Sequence, residues 1–214
     1  ERNVLVTKHQ LHQTRAKQMT LVAVFTTALV IVGGALIWYL MRHKQQLEAF
    51  ARTDSLTRLY NRGHCMSLAE KLLETASPDK PVCLALIDID HFKQINDRYG
   101  HQTGDKVLTD FGKQLHQWCG KNYLAGRYGG EEFLLILPDT TLESAQTALG
   151  KLRQRLQDAG ADSPASTGPV TFSGGLVQVT HETNIEPVIR LCDTLLYQAK
   201  QNGRNAVYSR VLLA

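Results

Sequence analysis

Four acids carry the chemistry that this sequence can offer. The run "LIDID" ends in Asp88 and Asp90, and residues two apart on a strand share a face. The stretch "RYGGEEF", Arg127 to Phe133, sets Glu131 and Glu132 behind a glycine pair and in front of the apolar run Phe133 to Leu137. Carboxylates gathered at one rim repel each other unless a cation lies between them. Hard cations such as magnesium take carboxylate oxygen and often bring a nucleotide's phosphates as further ligands. If the two strands are neighbours, Asp88 and Glu131 converge, and the glycines let the backbone turn sharply and a ligand come close. Each pair alone has a plainer account: Asp88 and Asp90 as turn-forming acids that close a strand, Glu131 and Glu132 as a solvated hairpin. Both pairs flanking apolar strands in one domain is what favours metal and phosphate chemistry.

The elements that must position these acids follow from apolar periodicity. Asn61 to Ser77 reads as a helix ending near Pro78, and Val82 to Asp90 as a buried strand. Val107, Leu108, Phe111, Leu115 and Trp118 have helical spacing. Tyr123 to Pro138 is a hairpin with Gly-Gly at its tip. Leu142, Ala145, Leu149, Leu152 and Leu156 make another helical stripe, and Ala159 to Pro169 a polar loop. Val170 to Val179 is a strand whose glycine pair suggests a bulge. A last helix runs from Ile185 to Ala199, stopped by Gly203, before a short strand from Asn205 to Arg210. Strands and helices mix and one hairpin is antiparallel, so the expected fold is α/β (α+β), a mixed central sheet covered by helices.

The chain has 214 residues and a net charge of +4, which suits one folded domain plus extra segments. It starts at Glu1 rather than Met, which leads us to expect a piece of a longer protein. The charge is uneven. Residues 1–44 hold six Lys/Arg and one acid, while residues 45–214 hold eighteen and nineteen. The folded part therefore lacks the basic face of a nucleic-acid binder. Cys65, Cys83, Cys119 and Cys192 are far apart with no C-x-x-C pair, against zinc or a disulfide framework.

Thr20 to Met41 is twenty-two residues without a charge, long enough to cross a bilayer, with Trp38 and Tyr39 near one end as interfacial aromatics. Charge flanks both ends, against a buried core helix, and no small-residue cleavage site follows, against a signal peptide. Arg15 and Lys17 balance Arg42 and Lys44, so the positive-inside rule gives a tie. Residues 42–53 form a linker, and Leu40, Leu47 and Phe50 supply one heptad of seam. That suits a solvated helix and a dimerising signalling helix equally.

"DSLTRLYNR", "LIDIDHFKQINDRYGHQTGDKVL", "AGRYGGEEF" and "LYQAKQNGRN", in this order and spacing from about Asp54 to Tyr208, resemble the GGDEF-domain diguanylate cyclases. The resemblance implies a palm-like catalytic domain over residues 54–210. It also implies a reaction: two GTP become cyclic di-GMP and two pyrophosphates, each 3′-hydroxyl attacking the other GTP's α-phosphate across a homodimer. Magnesium or manganese is the implied cofactor, held by Asp88, the backbone carbonyl of Ile89, and Glu131. Glu131 also matches the acceptor of the 3′-hydroxyl proton, and Lys93 a stabiliser of transition-state charge. Asn96 and Asp105 match the guanine-binding pair, and His101 another substrate position. Phe92 and Lys93 lie where backbone N–H groups meet phosphate, and Lys200 and Arg204 match phosphate contacts. Asp90, Glu132 and Arg127 stand beside these as supporting positions. The physics agrees: phosphoryl transfer rests on positioning and charge neutralisation, and an Asn amide with an Asp carboxylate answers guanine's donors and acceptors.

Cytoplasmic GTP then puts the catalytic domain in the cytoplasm of a bacterial cell, anchored in the inner membrane, with residues 1–19 outside and a sensor domain expected further upstream. Two rivals stand beside this reading. One is a GGDEF-like module that binds nucleotide without catalysis. The other is an enzyme making a cyclic mononucleotide within one site. Relatives often carry an inhibitory R-x-x-D before the Gly-Gly pair. Here Gly120, Lys121, Asn122 and Tyr123 stand in its place, so that product site is absent.

Overall fold

In the computed structural model, residues 2–50, 52–161, 168–181 and 183–212 are described. They divide into two units, 1–50 and 51–214, each taken by itself.

The first unit is one helix, α1 (Arg2–Phe50). Within it Met19–Arg42 is long and apolar enough to cross a membrane, and protein covers none of it. Its hydroxyls do not interrupt it, because Thr26 and Thr27 both donate back to the Ala23 carbonyl. Arg42 lies over the Trp38 ring, 5.1 Å from its centroid. Backbone helix runs from this apolar stretch through to Phe50. The seam at Leu40, Leu47 and Phe50 lies partly outside the residues whose side chains are described.

The second unit holds α2 (Arg62–Leu73), β1 (Val82–Ile89), α3 (Phe92–Tyr99), α4 (His101–Cys119), β2 (Leu124–Arg127), β3 (Glu132–Leu137), α5 (Leu142–Ala161), β4 (Phe172–Val179), α6 (Ile185–Gln201) and β5 (Val207–Leu212). The sheet order is β2-β3-β1-β4-β5. β1 is antiparallel to β3 and β4, and β4 is parallel to β5, so the sheet is mixed as its sequence leads one to expect. β1 is buried along its whole length. Alternate residues of β1 serve two cores: Cys83, Ala85, Ile87 and Ile89 face the α4 and α5 apolar stripes, while Val82, Leu84 and Leu86 join α2 and α6.

Three expectations change in detail, and one helix is added. α2 stops at Leu73 rather than near Pro78, and Glu74 caps it through its N–H to the Glu70 and Leu72 carbonyls. Phe92 to Tyr99 forms a helix of its own, which breaks from α4 at Gly100. α5 runs on through Ala159 to Ala161, where a loop is expected. The glycine pair in β4 makes no bulge, because Gly174 and Gly175 pair in continuous register with Ile87 and Leu86. A Cβ on Gly175 would sit 1.9 Å from the Cys192 carbonyl oxygen. Gly175 lets α6 lie directly on the sheet, whereas a Cβ on Gly174 would meet the Ile87 side chain 2.9 Å away. The end of α6 reaches the end of β1 through Lys200.

Candidate active site

β1 and β3 are neighbours, so the two acid pairs meet. Asp88 sits opposite Glu132 in register, and the Ile89 N–H donates to the Glu131 carbonyl at 3.2 Å. The hairpin tip folds around the same residues: Tyr128 and Gly129 both donate to the Glu132 carbonyl, at 2.8 and 3.2 Å. Asp88 is 6% exposed. Lys200, from the last turn of α6, places its Nζ 2.8 Å from Asp88 Oδ2. Burial pushes the Asp88 carboxyl up to about 6. Lys200 pulls the other way, and the neighbouring charges of Glu131 and Glu132 push up again. Burial outweighs the ammonium because Lys200 is itself one-third exposed and water screens it.

Asp90 has a different fate from Asp88. The strand ends at Ile89, and the Asp90 carboxylate is taken up by three donors: Ser173 Oγ at 2.6 Å, Thr171 Oγ1 at 2.8 Å and the Asn205 N–H at 3.0 Å. The two aspartates therefore do not act as a pair. Arg127 is also engaged. Its guanidinium donates to the Gly129 and Gly130 carbonyls and reaches Asp54 at 3.3 and 3.4 Å, fixing the glycine turn from behind.

A second cluster surrounds α3. Asn96 Oδ1 is buried with no hydrogen-bond partner. A Cβ at Gly104 would lie 1.9 Å from that oxygen, so the glycine leaves the space that the amide faces. A buried amide oxygen without a partner costs about 1–3 kcal/mol, and a ligand donor would recover it. Asp105 and His101 are exposed on the first turns of α4 beside Gly104. Phe92 is buried in the core while Lys93 is exposed. His91 precedes α3 in a left-handed conformation, φ 58°, and puts no side-chain cap on its N–H groups. Such uncapped helix N–H groups suit an anion.

The chain matches the family model described as "Diguanylate cyclase, GGDEF domain" over residues 51–206. It belongs to the GGDEF-domain diguanylate cyclases. It is 37% identical over 172 residues to diguanylate cyclase VdcA of Vibrio cholerae, covering 78% of this chain and 50% of that protein. It is 37% identical over 165 residues to the probable diguanylate cyclase DgcT of Escherichia coli K12, covering 75% of this chain and 36% of that one. The chain thus spans half or less of the length of these curated relatives. Among solved structures, the GGDEF domain of DgcB from Caulobacter crescentus in complex with c-di-GMP superposes with a TM-score of 0.69 at 32% identity, over 74% of this chain and 95% of that one. The active GGEEF domain of a Vibrio cholerae diguanylate cyclase gives 0.56 at 32% identity, over 67% and 87%.

Within this GGDEF domain no group of three or more His, Cys, Asp or Glu gathers as a metal cage among the described residues. Asp88, Glu131 and the Ile89 carbonyl are all hard oxygen donors, the set magnesium prefers. Two carboxylates and a carbonyl leave coordination positions for phosphate and water, so the donors fit a metal that arrives with a nucleotide. Lys200 on Asp88 shows that the rim accepts a cation. Sequence reasoning missed Thr171, Ser173 and Asn205 around Asp90, and Asp54 behind Arg127. The one local signal is the left-handed backbone of Arg204 and Asn205, φ 62° and 45°, which is not readable from residue type.

Proposed function

We propose that the unit from residue 51 condenses two GTP into cyclic di-GMP and two pyrophosphates. The observation that carries this reading is Asp88 near the end of β1 with Glu131 just before the neighbouring β3, together with a buried Asn96 Oδ1 that lacks a hydrogen-bond partner in the same unit. Asp88, the Ile89 carbonyl and Glu131 would hold magnesium or manganese, which would polarise the α-phosphate and neutralise charge on the leaving pyrophosphate. Glu131 accepts the proton of the 3′-hydroxyl. That oxygen forms its bond to the α-phosphorus of the GTP on a second copy, and the bond from that phosphorus to the β-phosphate bridging oxygen breaks. Lys93 and the N–H groups of Phe92 and Lys93 meet developing phosphate charge, as do Arg204 and Lys200, the latter giving up its contact with Asp88 where metal would sit. Asn96 and Asp105 read guanine, with His101 at the same mouth. Each unit holds one GTP, so a two-fold homodimer is the simple arrangement for a product linked both ways. Met19–Arg42 anchors the chain in the inner membrane, and GTP supply puts the catalytic unit in the cytoplasm.

Mass spectrometry of the products from GTP plus magnesium tests the reaction. Cyclic di-GMP with two equivalents of pyrophosphate is the expected result. Binding without turnover would favour a nucleotide-binding module, and a cyclic mononucleotide would overturn the reading.

A further inference from the structure

Asp90 is 5% exposed and lies two residues beyond Asp88, where a second metal ligand is the obvious role. Its oxygens are already used. Oδ1 accepts from Ser173, and Oδ2 accepts from Thr171 and from the backbone N–H of Asn205. The last contact reaches across 115 residues to the turn that links α6 to β5.

That turn is unusual. Gly203, Arg204 and Asn205 all have positive φ, at 101°, 62° and 45°. Glycine takes this region freely and asparagine tolerates it, but an arginine there is strained. Such a conformation persists only where its surroundings hold it. Among the described residues three contacts do so: Arg204 N–H to the Ala199 carbonyl at 3.0 Å, Arg153 Nε to Asn205 Oδ1 at 3.1 Å, and Asn205 N–H to Asp90. Only the Asp90 contact ties the turn to the end of β1, and it is the one that carries a full charge at a buried acceptor. The Asp90 N–H also donates to the Thr171 carbonyl at 2.9 Å, so the anchor itself is fixed in the sheet.

We propose that Asp90 is a positioning residue for Arg204: its carboxylate clamps the left-handed Arg204–Asn205 turn onto β1 and so holds the guanidinium in register with the Asp88 rim. This rests on the reading above that Arg204 meets GTP phosphate. Asp90 thereby acts on substrate through Arg204 and does not ligate metal.

A double-mutant cycle on the full chain in detergent tests this, with binding of α,β-methylene GTP read by calorimetry. The carbon bridge of this probe cannot be cleaved. Arg204→Ala should weaken binding by about fivefold or more, the scale of a charge-assisted contact. Asp90→Ala should weaken it by a similar factor, and Asp90→Ala on top of Arg204→Ala should add no further loss. Thr171→Val and Ser173→Ala remove the other two donors and leave the Asn205 tie. They should lower the melting temperature without moving probe affinity. Asp90→Asn keeps an acceptor for the Asn205 N–H and can donate to Ser173, so it should fold and retain most of the affinity. Should Asp90→Ala not fold, Asp90→Asn and the two donor variants carry the test.

Losses from Asp90→Ala and Arg204→Ala that multiply in the double variant would overturn the proposal. So would a loss in Thr171→Val or Ser173→Ala equal to that in Asp90→Ala, or an affinity in Asp90→Asn as low as in Arg204→Ala. If Arg204→Ala alone binds like the wild type, the assignment of Arg204 to phosphate fails and the clamp falls with it. If the wild-type chain does not bind the probe at all, the nucleotide reading itself is what fails.

Discussion

Asp54 and Asp88 are aspartates at the two sides of the same glycine hairpin, and the fold treats them in opposite ways. Asp54 opens the turn before α2. There it accepts from the Thr57 N–H and hydroxyl, both at 2.8 Å, and faces Arg127. Burial alone would raise its pKa, but the Thr57 hydrogen bonds and Arg127 together hold it below its ordinary 3.8. Asp88 is more deeply buried, has one partly exposed ammonium for company, and is pushed up to about 6. Asp54 is spent on structure, since its charge is paid back by fixed donors. Asp88 stands with its charge under-compensated, which suits the metal-holding role proposed for it. The rim keeps a charge imbalance that the scaffold around it does not carry.

The largest effect should come from the rim. Glu131→Gln should lower the rate of cyclic di-GMP formation by about a hundredfold or more, the scale of a lost proton acceptor. The far-ultraviolet circular dichroism and melting temperature should stay close to wild type. Full activity in that variant would break the distinction between rim and scaffold.

Next is the base pocket, where another polar atom is held in reserve. Asn96→Ala should raise KM for GTP and erode the preference for GTP over ATP, by about 1–3 kcal/mol. Gly104→Ala should do the same, because its methyl would press on Asn96 Oδ1. Steady-state kinetics with both nucleotides decides it, and an unchanged preference would remove Asn96 from the site.

The two aspartates themselves give opposite signs in stability. A carboxyl whose folded pKa lies above the unfolded value of 3.8 costs stability once ionised. For Asp88 that cost is absent below about pH 4 and grows as pH rises through the window to about 6. Asp88→Asn should therefore stabilise the metal-free protein by about 1–2 kcal/mol at pH 7.5, with the gain vanishing near pH 4. Asp54 is depressed, so its contribution is present above 3.8 and is lost as pH falls below it. Asp54→Asn should destabilise by about 1 kcal/mol at pH 7.5. Denaturant melts from about pH 2 to 8 in chelator would show both, and equal signs would defeat the comparison.

The smallest effect concerns the region before the hairpin. With Gly120, Lys121, Asn122 and Tyr123 where relatives carry R-x-x-D, added cyclic di-GMP should leave initial rates unchanged at low micromolar product. A relative with the intact motif serves as the control. Noncompetitive inhibition that disappears on changing Lys121 or Tyr123 would contradict this.

Local order along the chain determined much of this protein. Apolar patterning was enough for the long apolar helix through residues 20–41, the apolar strand through Asp88, the Gly-Gly hairpin, the helical stripes and the mixed sheet, because each is a property of neighbouring residues. It also marked the acids that end up at the rim. Tertiary structure alone decided what each acid does there. Asp88 and Asp90 have the same type, nearly the same burial and places two residues apart at the end of one strand. Their roles diverge because their partners come from 81 to 115 residues away for Asp90 and from the end of α6 for Asp88. Gly174 and Gly175 read locally as a bulge, yet they stay in register, and Gly175 serves the approach of a helix. Arg127 reads as part of a motif, yet half its purpose is Asp54, 73 residues upstream. A residue's own backbone preference is short-ranged and written in its type. The charge balance of a buried carboxylate is set by whichever donors packing brings within about 3 Å, and those are chosen only when the sheet closes.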